Sequence, residues 1–242
     1  AMYYGETIQI RFDPSGGCTV IPGSISQGQG HETMYKIIIS DRLGIDADII
    51  RVAQSDTDVA PDGGGTYASR TAVLGGTASA MASDRIIEKG KRIAAHILEA
   101  STVDIEFGDG EFRVAGTDRK VGIAEVARVA HIPSQIPKDM ETGLAETASF
   151  APEIPTFPNG CHVCEVEIDP ETGTTRIVRY SVVDDVGTVI NHLTLEGQIH
   201  GGIVQAIGQC FSEHVRYDPD SGQLLTGSFM DYGLPRADDT CD

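Results

Sequence analysis

Residues 8–21 read Ile8-Gln9-Ile10-Arg11-Phe12, then Asp13-Pro14-Ser15-Gly16-Gly17, then Cys18-Thr19-Val20-Ile21. Ile8, Ile10 and Phe12 alternate with polar residues at the period of a half-buried strand. The Asp-Pro-Ser-Gly-Gly run turns the chain and Cys18 to Ile21 returns it, which predicts a β-hairpin. Downstream, His31 to Ser40 carries Met34, Ile37 and Ile38 at helical spacing, and Asp48 to Ala53 reads as a strand. From Ser69 to about Glu99 the pattern is again helical. Small residues on it (Ala72, Gly75, Gly76, Ala78, Ser79, Ala82) would let another backbone approach closely. Ile105 to Phe107 and Phe112 to Val114 flank Gly108-Asp109-Gly110 as a second hairpin, and Gly122 to His131 reads as a short helix.

Between Pro133 and Pro158 five prolines and little periodicity predict a linker or extended crossing segment. The theme then repeats. Val163 to Ile168, the turn Asp169-Pro170-Glu171-Thr172-Gly173 and Arg176 to Val183 form a hairpin, a helix runs from about Leu193 to Phe211, and a last hairpin turns at Asp218 to Gly222. Hairpins mixed with helices in two similar halves imply an α+β fold rather than a doubly wound sheet. The expected organisation is a first α+β subdomain over residues 1–131, a Pro-rich linker over 132–160, and a second, truncated subdomain over 161–242.

The 242 residues are 40% hydrophobic and carry 18 Lys+Arg against 36 Asp+Glu, a net charge of −18. The apolar share supports a real core, and the excess of scattered acids argues against a nucleic-acid surface, which needs clustered basic residues. Apolar runs such as Ile37-Ile38-Ile39 are far too short for a membrane span, and the N-terminus has no signal-peptide pattern, so the chain reads as cytoplasmic. Five unevenly spaced cysteines (18, 161, 164, 210, 241) fit reduced thiols. Cys161 and Cys164 form a CxxC, but on an alternating strand residues three apart face opposite sides. The expectation is ordinary strand thiols and no metal site.

Two glycine loops look built to meet an anion without Lys or Arg. Ser24-Ile25-Ser26-Gln27-Gly28-Gln29-Gly30 feeds directly into a helix beginning His31-Glu32-Thr33, where free N–H groups and the helix dipole converge. A tight turn in which Ser and Gln cap the helix is the alternative. Asp62-Gly63-Gly64-Gly65-Thr66-Tyr67-Ala68-Ser69-Arg70 precedes the long helix, either as a Gly/Thr/Ser phosphate cradle or as a surface loop. It formally fits G-x-G-x-x-A, but a long polar loop separates it from its strand, against a dinucleotide-binding turn. Glu196-Gly197-Gln198-Ile199-His200-Gly201-Gly202 puts adjacent glycines inside a helix, at roughly 1 kcal/mol each against Ala, and implies close packing against another element or a ligand. The alternative there is a buried helix crossing, with Gln198 bonded to backbone.

Taken together, Gln27 to Thr33, Asp56-Thr57-Asp58 through Gly65 to Arg70, Glu196 to Gly202, Gly227-Ser228-Phe229-Met230-Asp231-Tyr232 and Leu234-Pro235-Arg236-Ala237-Asp238-Asp239 resemble the molybdopterin-binding large subunit of the xanthine dehydrogenase, aldehyde oxidase and carbon monoxide dehydrogenase family. Their order and spacing match over nearly the whole chain. The resemblance implies a molybdenum hydroxylase: molybdenum on a pterin dithiolene hydroxylates a carbon centre, as of a purine, an aldehyde or CO, using water. Electrons would leave through iron–sulfur and FAD subunits or domains. It implies molybdopterin, with a cytosine dinucleotide form as one option, held by Gln27, Gly28, Gln29, Gly30 and His31 at the pterin and its phosphates. Thr66 and Ser69 would lie at the phosphate end and Gln198 near the metal.

The family's general base is a Glu in a Gly-x-Gly-Glu segment after the Leu-Pro-Arg-Ala-Asp-Asp run, and this chain stops at Asp242. No catalytic residue is therefore assigned. With Ala1-Met2 reading as a cloning remnant, the expectation is a fragment, inactive and cofactor-free alone, that needs the rest of its large subunit. A non-catalytic cofactor-binding or assembly module of the same fold is the alternative.

Overall fold

The computed structural model describes residues 5–60 and 62–240. The readings of Ala1-Met2 and Cys241 lie outside them. The chain divides into two compact units, residues 1–157 and 158–242.

In the first unit the opening hairpin forms as the alternation predicts. Strand β1 (Glu6–Phe12) pairs antiparallel with β2 (Cys18–Pro22), Ile10 opposite Val20 and Phe12 opposite Cys18. The Asp13 carboxylate closes the turn by accepting from the Ser15 amide (2.8 Å) and hydroxyl (2.5 Å) and the Gly17 amide (3.2 Å). Helix α1 (His31–Leu43) returns the chain to β3 (Ile50–Val52), which lies parallel to β2. Helix α2 (Thr71–Ile97) packs across β1 and against α1. Ile8, Ile10, Val20, Tyr35, Ile39, Leu74, Ala78 and Ile86 are fully buried and form the core.

The small residues of α2 admit side-chain rings rather than a second backbone. The Tyr35 ring occupies the space a Cβ would take at Gly75, and the Phe112 ring does so at Gly90. Phe112 belongs to a small sheet of β4 (Ile105–Gly108), β5 (Glu111–Val114) and β6 (Lys120–Gly122), followed by α3 (Ile123–Ala130). Its two-residue turn, Asp109-Gly110 with φ of 51° and 73°, touches the left-handed Gly44 that ends α1.

The expected linker over 132–160 differs from what the chain does there. Residues Leu144–Phe150 form β7, an edge strand paired antiparallel with β1 in a sheet ordered β3-β2-β1-β7, and the first unit accordingly extends to residue 157. Its alternation is hidden because Glu146 shares the face of buried Leu144 and Ala148, held 3.8 Å from Lys89. On the other face Thr7 and Ser149 share a 2.8 Å hydrogen bond.

The second unit repeats the hairpin-and-helix theme on a smaller scale. Strands β8 (Asn159–Ile168) and β9 (Thr175–Asp185) pair around the Asp169 to Gly173 turn, with a bulge at Glu165/Val166. Helix α4 (His192–Phe211) starts at Asn191, whose side chain accepts from the Thr194 amide at 2.9 Å. A Tyr217–Leu224 bridge brackets the turn at Asp218 to Gly222. Cys161 and Cys164 both lie within extended β8 and are exposed free thiols.

Candidate functional site

The first loop, residues 23–30, leaves the end of β2 and enters α1, and the second, residues 62–70, enters α2. The sheet and helices bring the two loops together. Gly23 and Gly63 cross back to back: a Cβ on either would coincide with main-chain atoms at the other. The Thr66 hydroxyl donates to the Ile25 carbonyl at 2.7 Å and accepts from the Ile25 amide at 3.1 Å, bridging one loop to the other. Gln54, just beyond β3, accepts from the Ser26 amide at 3.0 Å.

Within the first loop Gln29 acts as a brace. Its Oε1 accepts from the Gln27 amide at 2.6 Å and its Nε2 donates to Gln27 Oε1 at 2.8 Å. Gly28 and Gly30 adopt φ of 111° and 84°, conformations that favour glycine, and a side chain at Gly28 would meet only open space. Gly30 is the N-cap of α1 and provides no side-chain cap. The capped-turn alternative is therefore not what forms. Main-chain N–H groups of the first turn of α1 are left to other acceptors, the arrangement that receives anions.

His31 is buried, with Nδ1 lacking any hydrogen-bond partner among the described residues, and burial pushes its pKa down toward a neutral ring. Tyr35, fully buried, shares a 2.9 Å hydrogen bond with Ser24, and burial raises its phenol pKa. In the second loop Ala68 and Ser69 both take left-handed φ, 52° and 53°. Two successive non-glycine residues there cost about 1–3 kcal/mol each and turn the exposed Ser69 segment sharply into α2.

Beneath both loops lies an ion pair that the sequence analysis does not single out. Arg70 and Glu6 are 2% and 1% exposed, with Nη2 and Oε2 3.2 Å apart. Arg70 also donates to the Gly65 carbonyl at 2.7 Å and to the Gly5 carbonyl at 2.5 Å, and lies against the Tyr67 ring. Burial pushes the Glu6 carboxyl pKa up, with Arg70 and the Gly23 and Ser24 amides opposing.

Gln27, Gly28, Gln29, Gly30, His31, Thr66 and Ser69 thus gather at one pair of loops. Gln198 lies in the second unit, exposed on α4. Gly197, Gly201 and Gly202 are exposed beside it, and a Cβ on any of them would meet nothing within 4 Å. Nothing among the described residues packs against those glycines. Among the described residues no group of three His, Cys, Asp or Glu is placed to hold a metal ion.

A family model described as the molybdopterin cofactor-binding domain matches residues 2–241. The carbon monoxide dehydrogenase large chain of Hydrogenophaga pseudoflava is 39% identical over 236 residues, covering 97% of this chain and 29% of that protein. The 6-hydroxypseudooxynicotine dehydrogenase complex subunit gamma of Paenarthrobacter nicotinovorans is 39% identical over 232 residues, covering 96% and 29%. Among solved structures, CO dehydrogenase from Oligotropha carboxidovorans superposes with a TM-score of 0.90 at 39% identity, covering 98% of this chain and 29% of that one. Quinoline 2-oxidoreductase from Pseudomonas putida 86 superposes with 0.88 at 40% identity, covering 98% and 30%. The chain spans about three-tenths of the length of these relatives.

Proposed function

Since this chain belongs to the molybdopterin cofactor-binding domain family, we propose that its two glycine loops grip the pterin and phosphate portion of a molybdenum cofactor in a hydroxylase large subunit. The observation that carries the reading is the uncapped start of α1 beside Gly28 and Gly30. It offers main-chain donors and open space to an anion in a chain of net charge −18. When bound, the cofactor supplies the redox centre for oxidative hydroxylation of a carbon centre with water.

The residues present fit that group. The amides at the start of α1 are uncapped, and His31 Nδ1 is an orphaned polar atom at the edge of the same loop. Gln27 and Gln29 shape the loop through their mutual amide bond, so their contribution is as much geometric as direct. Thr66 acts through Ile25, fixing the separation of the loops, while exposed Ser69 is the hydroxyl available to a phosphate. Gln198, exposed on α4, is the amide offered to the pterin near the metal.

In the same reading iron–sulfur and FAD units receive the electrons. Relatives named for carbon monoxide, a nicotine derivative and quinoline leave the substrate class wide. No helix among the described residues is long and apolar enough to cross a membrane.

The test is molybdenum and pterin content per folded large subunit in Gly28→Val and Gln198→Ala variants. Both should fall at least several-fold with the melting temperature of Gln198→Ala unchanged. Full loading of both variants would remove the assignment.

A further inference from the structure

Resting on that reading, we propose that Arg70, seated on Glu6, is a positioning residue that locks the two loops at cofactor-binding separation. Three chain segments meet at this buried pair. Arg70 Nη1 reaches the carbonyl of Gly65, the residue before Thr66, at 2.7 Å, and Nη2 reaches that of Gly5, immediately before β1, at 2.5 Å. Glu6 Oε2 lies 3.2 Å from Arg70 Nη2, and the carboxylate sits beside the Gly23 and Ser24 amides at the start of the first loop without a hydrogen bond to either among the described residues.

The fork therefore spans the second loop and the sheet, while the carboxylate holds the guanidinium in place under the start of the first loop. Above the pair the Gly23–Gly63 crossing leaves no slack, and Thr66 closes the link at Ile25. With 2% exposure Arg70 has no route to a ligand, so its action is through the loops. A lysine keeps the charge, but its single Nζ lacks the planar fork that reaches both carbonyls. Removing the guanidinium alone also strands a buried carboxylate, which is a general folding defect distinct from loop placement.

The two effects separate in a set of variants of the large subunit carrying these residues, each prepared cofactor-free and cofactor-loaded: Arg70→Met, Arg70→Lys, and Arg70→Met with Glu6→Gln. Arg70→Met should melt well below wild type. Adding Glu6→Gln should recover most of that loss, because no unpaired charge remains. Loop order should not recover. In the cofactor-free double variant, as in Arg70→Lys, the amides of Ile25, Ser26 and Thr66 should exchange hydrogen roughly tenfold faster than wild type, with those of Ile8 and Ile10 unchanged. Pterin content per folded molecule should fall in the same variants.

Wild-type loop exchange in the cofactor-free double variant overturns the proposal, whatever the loops bind. Loosened loops with undiminished pterin content also overturn it. Failure of the underlying reading looks different: the wild-type loops would gain no protection on loading.

Discussion

Gly63→Ala puts one methyl group where the structure has no room for it. Neither Gly63 nor Gly23 needs glycine for a positive φ, so the cost is one of space. The added Cβ would fall on the Gly23 main chain, and backbone cannot swing aside as a side-chain tip can. Relief requires the loops to part, which stretches the two Thr66–Ile25 bonds of 2.7 and 3.1 Å. Overpacking costs about 1–3 kcal/mol and each lost bond about 0.5–1.5 kcal/mol. The reduced unfolded-state entropy of Ala returns about 0.4–1 kcal/mol. The expected net loss is about 2–4 kcal/mol, read as a lower urea midpoint at constant m-value. Gly23→Ala should behave alike, since the crossing is mutual. A Gly63→Ala protein with wild-type or higher stability would show that the loops do not cross as described, and the site geometry would fall with it.

Other outcomes follow from single groups. Burial pushes the Cys18 thiol up to about 12, so at pH 8 iodoacetamide should label exposed Cys161, Cys164 and Cys210 and leave Cys18 unmodified in the folded chain; mass spectrometry of the digested protein decides. Hydrogen bonds from Ser15 hold the Asp13 pKa below its ordinary 3.8, so its stabilising effect is present above that value and lost as pH falls through the lower folded value. The gap in melting temperature between wild type and Asp13→Ala should be flat at neutral pH and close in acid. Leu74→Ala, fully buried where α2 meets the core, should cost about 2–5 kcal/mol by urea unfolding. Because extended β8 turns Cys161 and Cys164 to opposite faces, metal analysis should find no stoichiometric zinc lost on Cys164→Ser.

Much of this fold is local in the sequence. The β1–β2 and β4–β5 hairpins are legible because period-two alternation and turn residues such as Asp13-Pro14 and Asp109-Gly110 agree. Strand β7 is not, because Glu146 interrupts its apolar face and prolines flank it, and only pairing with distant β1 makes it a strand. The small residues of α2 signal close approach but not its source, since Tyr35 and Phe112 reach Gly75 and Gly90 from separate elements. At the site the glycine loops are visible as motifs, while the division of labour within them is not. Gln29 and Thr66 carry ligand-type chemistry, yet in the folded chain both bond within the loop pair. Glu6 and Arg70 join only through the third dimension; an arginine placed immediately before an apolar helix, inside a glycine-loop motif, is the one hint available.

The central claim is that the cofactor sits on the amides at the start of α1. Hydrogen exchange of the large subunit, compared between cofactor-free and molybdenum-loaded forms, tests it at residue level. The account predicts strong added protection at Gly28 and at His31 to Thr33, with Ile8 and Ile10 in β1 unchanged. Loading that leaves Gly28 and His31 to Thr33 exchanging as in the cofactor-free form, while protection appears elsewhere, contradicts it.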